Sequence, residues 1–372
     1  MIENTGMETA LAELFKGKAF NKLETVQSLW SGYGEIARYS NHNVSAEHAT
    51  QSPQTCIAKV VSLQQQADHP RGWNTEVSHQ RKLSSYINEQ HFYQYFAVFT
   101  NEYCKVPELL EAGADNNNIW MLLQDLDAAG FANRSSNANL ALIELGVKWL
   151  ANFHACFMHD TGVDASNVND PKVYEPKVDK TIQAATASSV RWQQHRSKVW
   201  PIGTYWHLAT RKQEWLAMPD SDLKINASKI DEHLNSARFQ TLVHGDAKLA
   251  NFCIHIDNVQ IAAVDFQYVG FGVGMKDLVY FLGSCLDGSE LQSKTPALLA
   301  LYFSVLKKAL NRVSNHVTSH QSMIDFSLLE KEYRALYPFA WADFERFLIG
   351  WSPGHIKLNE YSCEQTRLAL SK

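Results

Sequence analysis

The spacing of apolar residues changes along the chain, and the changes mark its elements. Residues 55–61, Thr-Cys-Ile-Ala-Lys-Val-Val, form a short apolar run with one charge, Lys59, in its middle. Residues 119–126, Ile-Trp-Met-Leu-Leu-Gln-Asp-Leu, form a second run that ends in polar positions. Both have the length and composition of strands. A cation inside such a strand needs an anionic partner if its side is buried. Earlier, residues 8–30 carry helical spacing with a lysine-rich turn, and Gly32 and Gly34 lie in a turn ahead of the strand-like residues 36–39. From Asn139 the period becomes helical: apolar positions at 142, 145, 146, 149, 150 and 153 make one stripe that runs through His154 to Phe157. Strand spacing returns at 241–243, 252–256 and 261–264, the last two joined by Asp257-Asn258 as a hairpin turn. Helical spacing resumes from Leu278 and recurs over 297–310 and 328–348. Strands early and helices late predict an α+β protein.

Composition narrows the class. At 372 residues and 45% hydrophobic, the chain can build two ordinary domains or one large two-lobed unit. Thirty-four basic against thirty-nine acidic residues give a net charge of −5, with no Lys/Arg block to follow a phosphate backbone, so nucleic acid is not an expected partner. The cysteines at 56, 104, 156, 253, 285 and 363 show no paired spacing and have mostly apolar neighbours, which fits reduced thiols in a cytoplasmic protein. Residues 1–20 are interrupted by acidic positions 3, 8 and 13, and no 18-residue apolar run occurs, so neither a signal peptide nor a membrane partner is expected.

The chemistry concentrates in residues 244–267. His244-Gly245-Asp246 follows the 241–243 strand, Lys248 and Asn251 come next, and Asp265-Phe266-Gln267 closes the hairpin. Phosphoryl transfer asks a protein mainly for positioning and charge stabilisation. Asp246 stands where a carboxylate can accept or orient the proton of an attacking hydroxyl. Asn251 and Asp265 offer the oxygen ligands that Mg2+ takes. Lys248 offers a compact cation to a transferring phosphate. Only about a dozen residues separate Asp265 from the helical pattern at Leu278. A protein kinase's activation segment has no room there.

With these motifs in this order, most of the chain resembles the kinase-like phosphotransferases of the aminoglycoside phosphotransferase and choline kinase group, and more closely their ecdysteroid-kinase-like branch. In that family a glycine follows the catalytic-loop histidine where protein kinases carry arginine, and Asp-Phe-Gln stands for Asp-Phe-Gly; His244-Gly245 and Gln267 show both departures. The resemblance implies a bilobed protein-kinase-like fold: an N-lobe over residues 1–118, a hinge over 119–127 and a helical C-lobe over 128–372, with ATP and Mg2+ in the cleft. Gly32 and Gly34 would approach the nucleotide phosphates, and adenine would bond backbone groups near Leu123 and Leu126. Lys59 would hold the α- and β-phosphates, fixed by a helix carboxylate. Glu89, in a Glu-x-x-Phe-Tyr run, is the first choice for that carboxylate, and Glu76 the alternative. His154 and Asp277 are expected to be structural, Asp277 supporting the catalytic loop.

The function implied is ATP- and Mg2+-dependent phosphorylation of a small-molecule hydroxyl. Retention of every catalytic residue type argues against the rival, a pseudokinase that binds nucleotide to regulate a partner. Six of ten tryptophans, at 192, 200, 206, 215, 341 and 351, fall in the later segments, either as an aromatic cage for a choline-like acceptor or as core. Asp343 and Glu345 could meet an aminoglycoside-like acceptor or line a solvated helix face, and a sterol-like alcohol fits an aromatic-lined site equally well.

Overall fold

The structure, a computed structural model, describes residues 5–29, 32–41, 54–63, 76–115, 118–162, 192–315 and 324–372. In chain order the first elements are α1 (Thr5–Leu14), β1 (Phe20–Ser28), β2 (Gly34–Asn41), β3 (Thr55–Ser62), α2 (Glu76–Tyr95), β4 (Leu109–Asp115), β5 (Asn118–Gln124) and α3 (Leu140–Phe157). Then follow β6 (His159–Asp160), α4 (Lys212–Ala217), α5 (Asp222–Ile225), α6 (Ala227–Asn235), β7 (Phe239–Val243), β8 (Phe252–Ile254), β9 (Ile261–Ala263) and β10 (Gly270–Gly272). Four helices complete the chain: α7 (Met275–Cys285), α8 (Gly288–Asn315), α9 (Phe326–Trp351) and α10 (Glu360–Leu370). The α+β class read from the pattern is the class observed. Two compact units form: residues 1–98, 105–134 and 252–267 make the first, and 99–104, 135–251 and 268–372 the second. The β8–β9 hairpin thus groups with the N-terminal strands, and the segment 119–127 is mostly strand β5.

The first unit is a five-stranded antiparallel sheet in the order β1-β2-β3-β5-β4. Side chains alternate faces along a strand, and β3 uses both. Cys56, Ala58 and Val60 join Met7, Leu11 and Phe15 of the α1 region in one cluster. Val61 joins Tyr33, Ile119 and Tyr86 of α2 in another. Lys59 shares the register side of Val61, so the pleat alone directs it to the α2 face. Gln90 fixes α2 to the sheet by donating to the carbonyls of Gly113 (3.0 Å) and Trp120 (3.1 Å). At the start of β2, Gly34 has φ +150°, and an added Cβ would lie 1.9 Å from the Val60 carbonyl oxygen of β3, so β2 and β3 close up there only over glycine. The hairpin is shorter than the apolar runs suggest. Its strands end at Ile254 and resume at Ile261 because the Asp257 carboxylate accepts from the Val259 N–H and Asn258 takes φ +59°.

The second unit is built around α3. Asn139 caps it by accepting from the Leu142 N–H, 2.9 Å. Its stripe is buried apart from the half-buried Leu145, with Leu150, Phe153 and Phe157 fully inaccessible, each contributing about 1.5–3 kcal/mol by burial. By length and composition α3 is apolar enough to cross a membrane, but most of it is enclosed by its own unit. A three-stranded sheet, β10-β7-β6, brings the end of β7 beside α3 and α7. A capping box at Asn359 and Ser362 starts α10, which packs on α9.

Gly146 on α3 lets that helix approach α7, since a Cβ there would stand 2.0 Å from a ring carbon of the buried Phe281. Gly146→Ala should gain about 1 kcal/mol of helix propensity and lose about 1–3 kcal/mol to overpacking, more if Phe281 cannot move. The expected result is net destabilisation, read as a lower urea midpoint with an unchanged slope. A higher midpoint would show that the α3–α7 contact has slack.

Candidate active site

In the first unit Lys59 and Glu89 form a buried ion pair, Nζ to Oε2 at 2.5 Å, with Lys59 4% and Glu89 2% exposed. Tyr86, one turn before Glu89 on α2, places its ring centroid 5.5 Å from the ammonium. Burial pushes the Glu89 carboxyl upward, and Lys59 opposes that shift. Well-packed apolar residues usually stabilise as much as a buried pair, so its presence needs a reason beyond stability. A lysine on the third strand paired with a glutamate on the following helix is the phosphate-holding arrangement of protein-kinase-like folds. Glu89 is therefore the partner of Lys59. Glu76 opens α2, and its side chain lies outside the described residues.

The same face of α2 carries the Asp265 turn. Lys82, Ser85, Glu89 and Phe92 recur at three- and four-residue intervals and so share that face. Phe266 stacks on Phe92 with centroids 3.9 Å apart, and the Asn88 amide donates to the Gln267 carbonyl, 3.1 Å. The Gln267 side chain joins helix to turn: its Nε2 donates to Asp265 Oδ1 (2.6 Å), while its Oε1 accepts from Lys82 Nζ (2.8 Å) and Ser85 Oγ (3.2 Å). Asp265 itself sits at φ +68°, a conformation non-glycine residues adopt only when their surroundings impose it. The sequence marks Gln267 as unusual. Its tether was visible only as the helical spacing of Lys82 and Ser85.

Residues 244–251, expected to form the catalytic loop, lie in the second unit. At the end of β7, the His244 and Gly245 N–H groups donate to the two oxygens of Asp277, at 2.6 and 2.9 Å. His154 Nε2 lies 3.1 Å from the same carboxylate, and its Nδ1 lies 2.7 Å from the Tyr302 hydroxyl. Asp277 only accepts, so Nε2 carries the proton and Nδ1 accepts from Tyr302. Both residues are wholly buried and structural, as expected. Gly245 has φ +81°, and a Cβ there would stand 2.0 Å from the Tyr268 carbonyl oxygen. This turn requires glycine.

Asp246 is 6% exposed. Lys248 Nζ donates to its Oδ2 at 2.9 Å, so the lysine expected to meet phosphate stands against the carboxylate. The Asn251 amide donates to the Asp246 carbonyl (2.8 Å) and Oδ2 (3.2 Å). That orientation leaves Asn251 Oδ1 with no hydrogen bond from the described residues, a hard neutral oxygen suited to Mg2+. The Tyr280 ring packs against that of Tyr205, with centroids 5.6 Å apart, and the Tyr205 N–H donates to the Gly245 carbonyl at 3.2 Å. Burial raises both phenols, and Asp246 adds to the effect. No sequence motif announced either tyrosine.

Elsewhere, Gly32 (φ +74°) and Gly34 form the β1–β2 turn, with the Leu29 N–H donating to the Gly34 carbonyl at 2.8 Å. Leu123 pairs with Ile57 and Leu109 in the sheet, and the Leu126 carbonyl accepts from the Phe131 N–H, 2.8 Å. Asp343 is not an acceptor ligand. It is wholly buried, accepting from Arg346 Nη2 (2.5 Å) and Trp206 Nε1 (3.0 Å), with Lys276 at 3.6 Å. Burial pushes its carboxyl up, but Arg346 and Lys276 outweigh that and hold it low. Glu345 is buried against Ser362 and Thr366, so a solvated helix face is equally excluded for both. Trp206 and Trp341 are core, and Trp192 stacks on Phe271.

The chain is similar to several solved small-molecule kinases. One is a choline kinase from Cryptosporidium parvum, at 10% identity over 99% of this chain and 95% of that chain, TM-score 0.44. Another is an ethanolamine kinase from Plasmodium vivax, at 9% identity over 100% and 89%, TM-score 0.44. A third is an aminoglycoside phosphotransferase from Streptomyces rimosus in complex with ADP and streptomycin, at 11% identity over 90% and 99%, TM-score 0.39. No curated protein matches significantly. Residues 74–315, well over half the chain and spanning α2, the catalytic loop, the Asp265 turn and α7, match the model of the ecdysteroid kinase-like family. The chain belongs to the ecdysteroid kinase-like family, a group of small-molecule kinases.

Proposed function

We propose that the protein transfers the γ-phosphoryl group of ATP to a hydroxyl of a small molecule in a Mg2+-dependent reaction. The observation that carries the reading is the buried Lys59–Glu89 pair in a chain whose Asp246 is held by Asn251 and Lys248 on an Asp277-anchored loop. Lys59 holds the α- and β-phosphates, and Glu89 fixes the lysine in the position they need. The N–H groups of the Gly32–Gly34 turn approach the phosphates, and the backbone near Leu123 and Leu126 meets adenine. Asn251 and Asp265 would hold the metal, which would supply positive charge beside the phosphate oxygens. Asp246 orients the acceptor hydroxyl and takes its proton as the oxygen bonds to phosphorus. Lys248 faces the negative charge that develops on the transferred group. Neither Asp343 nor Glu345 meets the acceptor.

Asp246→Asn is expected to lower turnover by about a hundredfold to ten-thousandfold with little change in ATP affinity. The measurement is ADP release by the purified chain against pooled alcohols, amino alcohols, aminoglycosides and sterols. Turnover equal to the unaltered chain's would remove Asp246 from the mechanism, and ATP binding without turnover on any pool would favour a regulatory nucleotide-binding protein.

Lys59→Met leaves Glu89 buried without a cation and should destabilise by about 3–5 kcal/mol at neutral pH. Burial already raises the Glu89 carboxyl. In the variant, the folded state therefore binds a proton that the unfolded state has released, so stability falls as pH rises through the raised value and is largely recovered in acid. Lys59→Met combined with Glu89→Leu should restore the melting temperature but not ADP release. Recovery of activity along with stability would show that the pair is structural.

A further inference from the structure

Lys357 lies in the 352–359 segment between α9 and α10, a part of the chain that no motif marks. Its partly buried side chain sets Nζ 4.6 Å from the centroid of the Tyr280 ring and 5.6 Å from that of Phe344. Tyr280 packs on Tyr205, whose N–H donates to the carbonyl of Gly245, the residue before Asp246, so Lys357 stands on the aromatic layer next to the loop of the proposed base. Lys59 has Glu89, Lys248 has Asp246, Lys276 and Arg346 have Asp343, and Lys82 has the Gln267 amide oxygen. Among the described residues, Lys357 Nζ has neither a hydrogen bond nor a carboxylate within ion-pair distance.

Two consequences follow from elementary electrostatics. A desolvated ammonium without an anion is poorly stabilised in its charged form, and an arriving oxyanion would restore that stabilisation. The ring faces of Tyr280 and Phe344, which an onium head group would use, are already occupied by the chain's own cation. We propose that Lys357 is a specificity-determining residue of the acceptor side, receiving an oxyanion and turning away acceptors that carry a positive charge. The inference rests on the reading of Asp246 given above. It separates this site from one built for choline-like or aminoglycoside-like acceptors.

Burial lowers the Lys357 ammonium to about 8, with Asp246 and Cys285 opposing the fall and Lys248 adding to it. The groups around Lys357 are thus Asp246 and Lys248 of the loop, Tyr280 and Cys285 of α7, Phe344 of α9 and His355 of its own segment. Burial keeps the Cys285 thiol neutral by raising it to about 11, and burial and Lys357 hold His355 below its ordinary value. Lys357 is then the group that changes charge near pH 8, and oxyanion binding should weaken as pH rises through that value.

The test uses three alcohols of similar size with charges of minus one, zero and plus one: isethionate, 3,3-dimethylbutan-1-ol and choline. Their binding to the full chain is measured by ligand-observed NMR on either side of pH 8, together with inorganic phosphate. The expected order is isethionate, then the neutral alcohol, then choline, with a span of at least about tenfold below pH 8, the scale of an incompletely screened charge interaction at a few ångströms. Lys357→Gln should collapse that order. Lys357→Arg should keep it and remove its pH dependence. Lys357-dependent binding of isethionate would identify the anion as a substituent of the acceptor, and of phosphate alone, as the transferring group. Choline binding as tightly as isethionate, an order unchanged in Lys357→Gln, or no Lys357-dependent binding of either anion would overturn the proposal. The readout needs no turnover, so failure of the kinase reading would appear separately in the ADP assay.

Discussion

The loop that follows β7 is held by one carboxylate. Asp277, wholly buried in the first turn of α7, accepts from two consecutive backbone N–H groups at the end of β7 and from His154 of α3, which in turn accepts from Tyr302 of α8. Three helices and a strand therefore meet at one charge, and the loop's buried donors have nowhere else to go. An unpaired buried N–H costs about 1–3 kcal/mol and a buried, unpaired carboxylate more, so the parts are stable only together. The glycine between His244 and Asp246 follows from the same closeness, because the chain turns at positive φ against the Tyr268 carbonyl.

The first unit solves a different problem, placing a charged side chain at a fixed point inside a sheet. Strand alternation aims Lys59 at α2, and the three- and four-residue periodicity of α2 aligns Glu89 with Lys82, Ser85 and Phe92. The α2 face that neutralises the lysine also holds the Asp265 turn, through the Phe92–Phe266 stack and the Gln267 amide. Displacing α2 would disturb both at once.

Much of this was legible in the sequence, for reasons that can be named. The α3 stripe, the β3 run with its central lysine and the hairpin depend on local period, and the Lys59–Glu89 pairing on the family resemblance of the Glu-x-x-Phe-Tyr run. The apolar stripe marked His154 as a packed residue, and the resemblance marked Asp277 as the support of the loop. The misreading of Asp343 and the silence over Tyr205, Tyr280 and Lys357 share another cause. Whether a carboxylate on a helix is solvated or locked depends on a residue far away in sequence: Trp206 lies 137 positions from Asp343. Likewise, Trp206 and Trp341 are core residues because of what surrounds them, which composition does not record. The hairpin strands ended early because a side chain, Asp257, took over the backbone hydrogen bonding that a longer strand needs.

Gln267 fills the position where protein kinases carry a glycine, and its amide grips helix and turn together. Signalling kinases derive their responsiveness from play at this point, since a segment that swings between two arrangements can be governed by a modification elsewhere. A side chain that bolts the turn to its helix removes that play. The turn then has the one arrangement that its own helix imposes on it.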